Sequence, residues 1–254
     1  MGLSGSVVRR TAVNIKDLRD CHSGKMGFVV GAGPSLHFQD LEPLKYFVTI
    51  AVNSGIVKMD KADYFLTDDI DVTNWSYCAV DLPKMPLTKC LFYHEKLKDR
   101  VGQIDDNRIY WYDHLHWGRG DGASLKFSKD GQLVGARTSV GTAIHAAYIM
   151  GCDPIVLLGC DCCYSHGHRY FWQFSGEGNP YRLDRKPVFN KATKNVRGER
   201  IDFHNEEFLK YWGVFSEKAK GYGLNIINAS GGILECFERM TLEEVCDEFK
   251  DRRK

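Results

Sequence analysis

The chain has 254 residues, 43% of them hydrophobic and 26% charged, with a formal net charge of +1. That length suits one large α/β domain or one domain with an insertion. The near-neutral balance supplies no field to draw DNA or a membrane surface, and no apolar run is long enough to span a bilayer.

Residues 1–25 read as a loosely ordered arm with a short helical piece near Ile15–Cys21. Val7–Arg10 within it carries no apolar signal-peptide core. Phe28–Val30 is an apolar run that breaks into Gly31-Ala-Gly-Pro-Ser-Leu36, the pattern of a buried parallel strand ending in a tight loop. Glycines there would let the backbone approach a ligand closely. Pro34 and Ser35 suit the first turn of a helix whose N–H groups attract phosphate. The loop lacks the third glycine of a dinucleotide fingerprint and the Lys-Ser/Thr of a P-loop, so a purely structural turn is the alternative. Leu41–Tyr46 predicts a short helix, Val48–Val52 a strand ending at Asn53-Ser54-Gly55, and Tyr64–Leu66 a strand ending in Thr67–Asp71. Lys89–Tyr93 and Arg108–Tyr112 are further strands. Ser124–Val134 contains Lys129-Asp-Gly-Gln132, the signal of a β-hairpin. Ser139–Met150 predicts a helix that packs closely through Ala143, Ala146 and Ala147 and stops at Gly151. Ile155–Leu158 carries the strongest signal of a buried strand. Gly167–Arg200 is polar and, at that length, reads as a lid or insertion. Phe203–Gly221 is a long amphipathic helix and Leu224–Ile227 a last strand. Leu242–Phe249 is a last helix, with Thr241 as N-cap and Glu244 at the capping-box position. Lys250–Lys254 reads as a solvated basic tail.

Strands separated by helices predict a Rossmann-like α/β fold: a mainly parallel sheet, helices on both faces, and a polar lid at about 167–200. One domain would span 26–249. Such sheets bind ligands beyond the carboxyl ends of their strands. The polar groups Gly31–Ser35, Asn53, Ser54, Thr67–Asp71, Asp161 and Asn228 all follow strands, and should converge on one crevice.

Several segments suit chemistry there. Thr138-Ser139-Val-Gly141-Thr142 opens the central helix and could hold a phosphate or a sugar carboxylate, or simply cap the helix. Asp68, Asp69 and Asp71 could hold Mg²⁺ or cap the next element. Cys160 and Cys163 form a CxxC with His166 and His168 nearby. No second half-site follows, so small apolar side chains at a strand end are favoured over zinc. Nine cysteines, an odd count with several in apolar runs, fit a reducing cytoplasm better than a disulfide framework. Asp161, just past the central strand, could accept ribose hydroxyls or orient a reacting group. His204 opens the long helix and suits a general base, a surface histidine being the alternative.

Gly31-Ala-Gly-Pro-Ser-Leu36, Ala51-Val-Asn-Ser54 and Asp63-Tyr-Phe-Leu-Thr-Asp68 together resemble the front half of the MptE-like proteins. Ser139-Val-Gly-Thr-Ala-Ile-His-Ala-Ala147, Gly151–Asp161, Asn228-Ala-Ser-Gly-Gly-Ile233 and Met240–Glu244 follow the family pattern in order, so the resemblance covers roughly residues 26–245. That family includes a hydroxymethyl-dihydropterin diphosphokinase and motility-associated glycosyltransferases, and it looks like the bacterial sialyltransferases that use CMP-sialic acid. The resemblance implies that Gly31, Gly33, Pro34, Ser35, Asn53, Thr138, Ser139, Gly159 and Asp161 hold a nucleotide, with Ser54 and Asp68 beside them. It also implies that His204 is the base and that Tyr164 and Tyr170 assist the phosphate, although neither tyrosine is in strict register. Asp68 stands where those sialyltransferases place an Asn, which raises the odds of metal use.

These readings point to a cytoplasmic nucleotide-dependent transferase acting on a small nucleotide donor and a hydroxyl acceptor. Glycosyl transfer from a CMP-type sugar is the first choice. The alternatives are Mg²⁺-dependent diphosphate transfer from ATP to a hydroxymethylpterin-like alcohol, and a non-catalytic nucleotide-binding module. A homo-oligomer is compatible with each.

Overall fold

The computed structural model describes residues 13–69, 76–93, 104–115, 125–175, 192–194 and 200–254. Nine strands form one sheet: β1 (Gly27–Val30), β2 (Val48–Val52), β3 (Tyr64–Thr67), β4 (Lys89–Tyr93), β5 (Ile109–His114), β6 (Gln132–Leu133), β7 (Ile155–Leu158), β10 (Ile226–Asn228) and β11 (Glu238–Arg239). Their order is β11-β10-β7-β1-β2-β3-β4-β5-β6, and every pairing is parallel. The fold is Rossmann-like α/β. Every residue of β1, β2, β3 and β7 is buried. Continuous apolar runs are what a parallel sheet covered on both faces requires. A separate antiparallel pair, β8 (Ala192–Lys194) and β9 (Arg200–Asp202), leads into the second long helix. Only these pieces and residues 167–175 of the expected lid are described, and its remainder lies outside the described residues.

The strand period of two sends alternate side chains into two cores. Val29, Ile50, Val52 and Leu157 face helices α1 (Ser139–Ile149) and α2 (Phe203–Gly221), meeting Ile144, Ala147 and Phe215. Phe28, Val30, Phe65 and Phe92 face the other way, onto Leu36, Leu44, Ile56 and Leu82. Covering on that second face comes mainly from short 3-10 turns, Pro34–Phe38, Glu42–Tyr46, Asn53–Lys58 and Leu82–Lys84, with α3 (Leu242–Glu248) at one side. The short helix expected at Leu41–Tyr46 is thus a five-residue 3-10 turn. Among the described residues no helix is long and apolar enough to cross a membrane.

Three expectations need correction. The Asp-Gly turn does not join a hairpin: β6 pairs parallel to β5, Asp113 opposite Gln132. Asp130 accepts from the Gln132 N–H at 3.1 Å and from the Ser128 hydroxyl at 2.5 Å, so a side chain rather than a two-stranded ladder closes this turn. Residues 13–25 of the expected loose arm are packed onto the domain. The Trp111 N–H donates to Val13 O, and Ile15 and Leu18 are buried in a turn capped by Asn14 and Asp17. The basic tail is exposed but docked. Arg252 O accepts the Met26 N–H at 2.9 Å, and Lys254 Nζ reaches both Asp63 oxygens at 2.8 and 2.7 Å.

Candidate functional site

Strands β1 and β7 are neighbours, and the chain runs outward from them in opposite directions. Their carboxyl ends mark the switch point where ligands enter such sheets. The Gly31 N–H donates to Leu158 O at 2.8 Å, and the Gly33 N–H to Gly159 O at 2.7 Å. A Cβ on Gly31 would sit 2.5 Å from Gly159 O, and one on Gly33 only 2.1 Å from Asp161 Oδ2. These glycines therefore let two strand-end loops touch. This close approach of the loops is a requirement that the sequence reading did not contain.

The phosphate-type helix expected at Pro34 is a five-residue 3-10 turn, and its Ser35 N–H donates to Asp161 Oδ2 at 2.9 Å. A carboxylate of the protein occupies the place an anion would take. Asp161 is 2% exposed. Burial raises its pKa, while the hydrogen bond from the Ser35 N–H and the charge of Arg239 pull it down. Its other oxygen, Oδ1, is buried without a hydrogen bond, as are Ser35 Oγ and Asn53 Oδ1. Asn53 holds a left-handed φ of 50° at the end of β2.

The open helix N-terminus belongs to α1 instead. Thr138 caps it, its hydroxyl accepting from the Gly141 N–H at 3.2 Å. Asp68 takes the Ser139 hydroxyl and, at 3.0 Å, the Thr142 hydroxyl, with His114 Nε2 3.8 Å away. Asp68 thus anchors α1 to the end of β3.

A cleft of about 260 Å³ opens between these loops. Among the residues singled out in the sequence, Gly31, Gly33, Pro34, Asn53, Ser54, Thr138, Ser139, Gly159, Asp161 and Tyr170 line it. Asp69 lines it too, whereas Ser35 and Asp68 stand behind the wall, and Tyr164 is not part of the lining. Tyr170 is stacked on Trp172, ring centroids 5.1 Å apart and 10° from parallel. Asn228 closes its own loop, donating to Leu234 O at 2.7 Å and accepting from the Ser230 N–H at 3.0 Å, and does not enter the cleft. His166 and His168 pack around Phe174, outside the lining. His204 is the second residue of α2, its side chain outside the described atoms, and Asp71 is not described.

Sequence reasoning missed Arg169 and Trp212, both in the lining. Arg169 stands one residue before the singled-out Tyr170, which was the available signal. Trp212 sits mid-helix among core positions and carries none. Cys160, Cys162 and Cys163 also line the cleft. None of the nine cysteines forms a disulfide, and burial pushes the Cys162 thiol up to about 12. Among the described residues no three His, Cys, Asp or Glu side chains converge as a metal centre.

Residues 7–167 match the family model described as 6-hydroxymethylpterin diphosphokinase MptE-like. The chain belongs to the MptE-like family. The matched stretch of this MptE-like chain contains the loops after β1, β2 and β7 and the start of α1, most of the cleft wall, whereas Arg169, Tyr170 and Trp212 lie beyond it. The motifs at 228–233 and 240–244 lie beyond it. No curated protein and no solved structure gives a match.

Proposed function

We propose that this chain is a nucleotide-dependent transferase that holds the phosphates of its donor in the cleft between these loops. One observation carries the reading: the N-terminal turn of α1 meets the β1–β7 switch point there, with Arg169 in the same wall. The first N–H groups of an α-helix lack intrahelical partners and carry partial positive charge, so that turn suits phosphate oxygens. Arg169 would add a full charge to offset what builds up on a leaving or transferring phosphate.

The family description favours diphosphate transfer from ATP to a hydroxymethylpterin-like alcohol. Such chemistry commonly employs Mg²⁺. Here Asp68 is engaged by Ser139 and Thr142, leaving Asp69 as the lining carboxylate among the described residues. Asp68 and Asp69 do not build a metal centre by themselves. The engagement of Asp68 favours a second reading, glycosyl transfer from a CMP-type sugar without a protein-held metal. In both, a base takes the proton of the acceptor hydroxyl, and His204 at the start of α2 is the proposed group.

A thermal-shift panel separates the two. ATP with Mg²⁺ stabilises the protein under the first reading, CMP and CDP under the second, by about 2.7 kcal/mol at a hundred times Kd. Arg169→Ala should weaken whichever nucleotide binds. A panel in which no nucleotide moves the melting temperature refutes both. Activity retained in EDTA selects the second over the first. His204→Ala should lower kcat by about 10²–10⁴-fold with donor affinity kept, and a wild-type kcat would remove His204 from the mechanism.

A further inference from the structure

Asp161 is gripped by the loop that follows β10. Its main-chain O accepts the Ile233 N–H at 3.0 Å. A Cβ on Gly232, whose φ is 77°, would lie 2.1 Å from that same oxygen, and one on Gly231 would lie 3.1 Å from Asp161 Oδ1. Just upstream, the Ser230 hydroxyl accepts the Cys160 N–H at 2.8 Å and donates to Leu157 O at 3.2 Å. Residues 230–233 therefore lie main chain against main chain on the loop that carries the carboxylate.

That loop is itself strapped by Arg239. β11 pairs parallel with β10, Arg239 opposite Asn228, which brings an exposed arginine to the start of the loop. Nη1 donates to Gly232 O at 3.1 Å and Nη2 to Ser230 O at 3.2 Å. The planar guanidinium fork thus ties together the two residues on either side of Gly231. We propose that Arg239 is a positioning residue for the cleft at the ends of β1 and β7. By strapping the loop after β10 against Asp161, it holds the carboxylate that accepts the Ser35 N–H, and so keeps the Gly31–Ser35 loop in its binding shape. Arg239 does not line that cleft and lies outside the stretch matched to the family. Calling the cleft the donor's site rests on the function proposed above; the strap itself does not.

Charge acts together with this geometry. The thiols of Cys160 and Cys162, on the same loop as Asp161, are kept neutral by burial, and Arg169 shares the cleft lining. Arg239 is the cation whose charge pulls the Asp161 pKa down against burial. An ionised carboxylate accepts an N–H more strongly than a protonated one, so the charge that favours ionised Asp161 also favours the bond from Ser35.

The test compares Arg239→Gln and Arg239→Lys with the wild type in the full chain. The Asp161 carboxyl is titrated by carboxyl-carbon NMR, its resonance assigned through Asp161→Asn. ATP with Mg²⁺, and CMP, are titrated by calorimetry across the acid and neutral range. Arg239→Gln should raise the Asp161 midpoint, weaken whichever nucleotide binds by about tenfold, and move the loss of affinity in acid to higher pH. The nucleotide's own titration is common to both proteins and cancels. Arg239→Lys keeps the charge without the fork, so it should restore the midpoint and recover only part of the affinity. In an Asp161→Asn background, Arg239→Gln should weaken the nucleotide no further, whereas a general loosening of the fold would add in full. An unmoved midpoint in Arg239→Gln overturns the proposal, as do unchanged nucleotide affinity and additive losses in the double variant. A midpoint that moves as expected in a protein that binds neither nucleotide sustains the strap and removes the donor reading alone.

Discussion

A single methyl group tests how the site is held. On Gly33 it would meet Asp161 Oδ2 at 2.1 Å and Gly159 O at 2.7 Å, both in a neighbouring loop. Gly33→Ala should therefore lower stability by about 1–3 kcal/mol in urea unfolding and weaken nucleotide binding, because the loops after β1 and β7 must part. Unchanged stability would show that these loops give way freely. Asp161 itself adds a pH signature. Its folded pKa is raised by burial above the ordinary 3.8, so ionisation opposes folding. The linked stability is present at pH values below 3.8 and is lost as pH rises through the folded value. Asp161→Asn should remove that portion of the pH dependence, compared by unfolding midpoints across the acid range. The position of this cluster was legible because glycine after an apolar run marks a strand end. The purpose of the glycines was not, since Gly159 and Asp161 stand more than a hundred positions away and a sequence does not show which loop lies opposite.

At the level of elements, α1 is pinned by His145. Nδ1 accepts from the Val134 N–H at 3.0 Å, and Nε2 donates to Ser128 O at 2.7 Å, so the buried ring is neutral and ties the stretch before α1 to its middle. Burial brings its pKa down to about 4 from 6.5. The unfolded chain gains a proton below pH 6.5 before the folded one does, so stability falls as pH drops from 6.5 towards 4. The loss reaches up to about 3 kcal/mol. His145→Gln should abolish this phase, and an identical pH profile would contradict the assignment. Helix α2 offers the opposite case. A Cβ on Gly213 would meet nothing within 4 Å. Gly213→Ala should stabilise the protein by about 0.5–1 kcal/mol in the same unfolding assay. The helices and buried strands were readable from period and punctuation, with Thr138 and Thr241 capping as expected. The hairpin was misread because Asp-Gly reports a turn and not what its arms pair with. A second cleft of about 1070 Å³, between the 3-10 turns at 34–46 and α3, went unseen because its walls, such as Phe38, Gly231 and Arg253, belong to separate segments with no shared motif.

Across the whole molecule, the docked tail closes the amino end of the sheet. Removing residues 252–254 deletes the partner of the Met26 N–H and the ammonium held by Asp63, which also accepts from the Thr49 N–H and hydroxyl, each at 3.0 Å. Truncation there should cost about 2 kcal/mol and lower Tm by about 4–8 °C, with nucleotide affinity kept because the cleft at the ends of β1 and β7 lies at the opposite strand ends. A truncated chain melting like the intact one would return the tail to a solvated role.

The pairing of β1 with β7 also decides when the molecule becomes functional during synthesis. Ser35 and Asp161, joined by a hydrogen bond, are separated by 126 positions in the chain. A ribosome that has delivered β1 to β6 has made every strand on one flank, yet β1 still presents a bare edge of main-chain donors and acceptors. Contacts of such separation form late, and an unpaired parallel edge is where nascent chains aggregate. When Ile155–Leu158 emerges and docks, that edge is covered and the loop carrying Asp161 can close on Gly31 and Gly33, but β7 becomes the new bare edge until Ile226–Asn228 follows, so competence to bind waits for the last third of the chain.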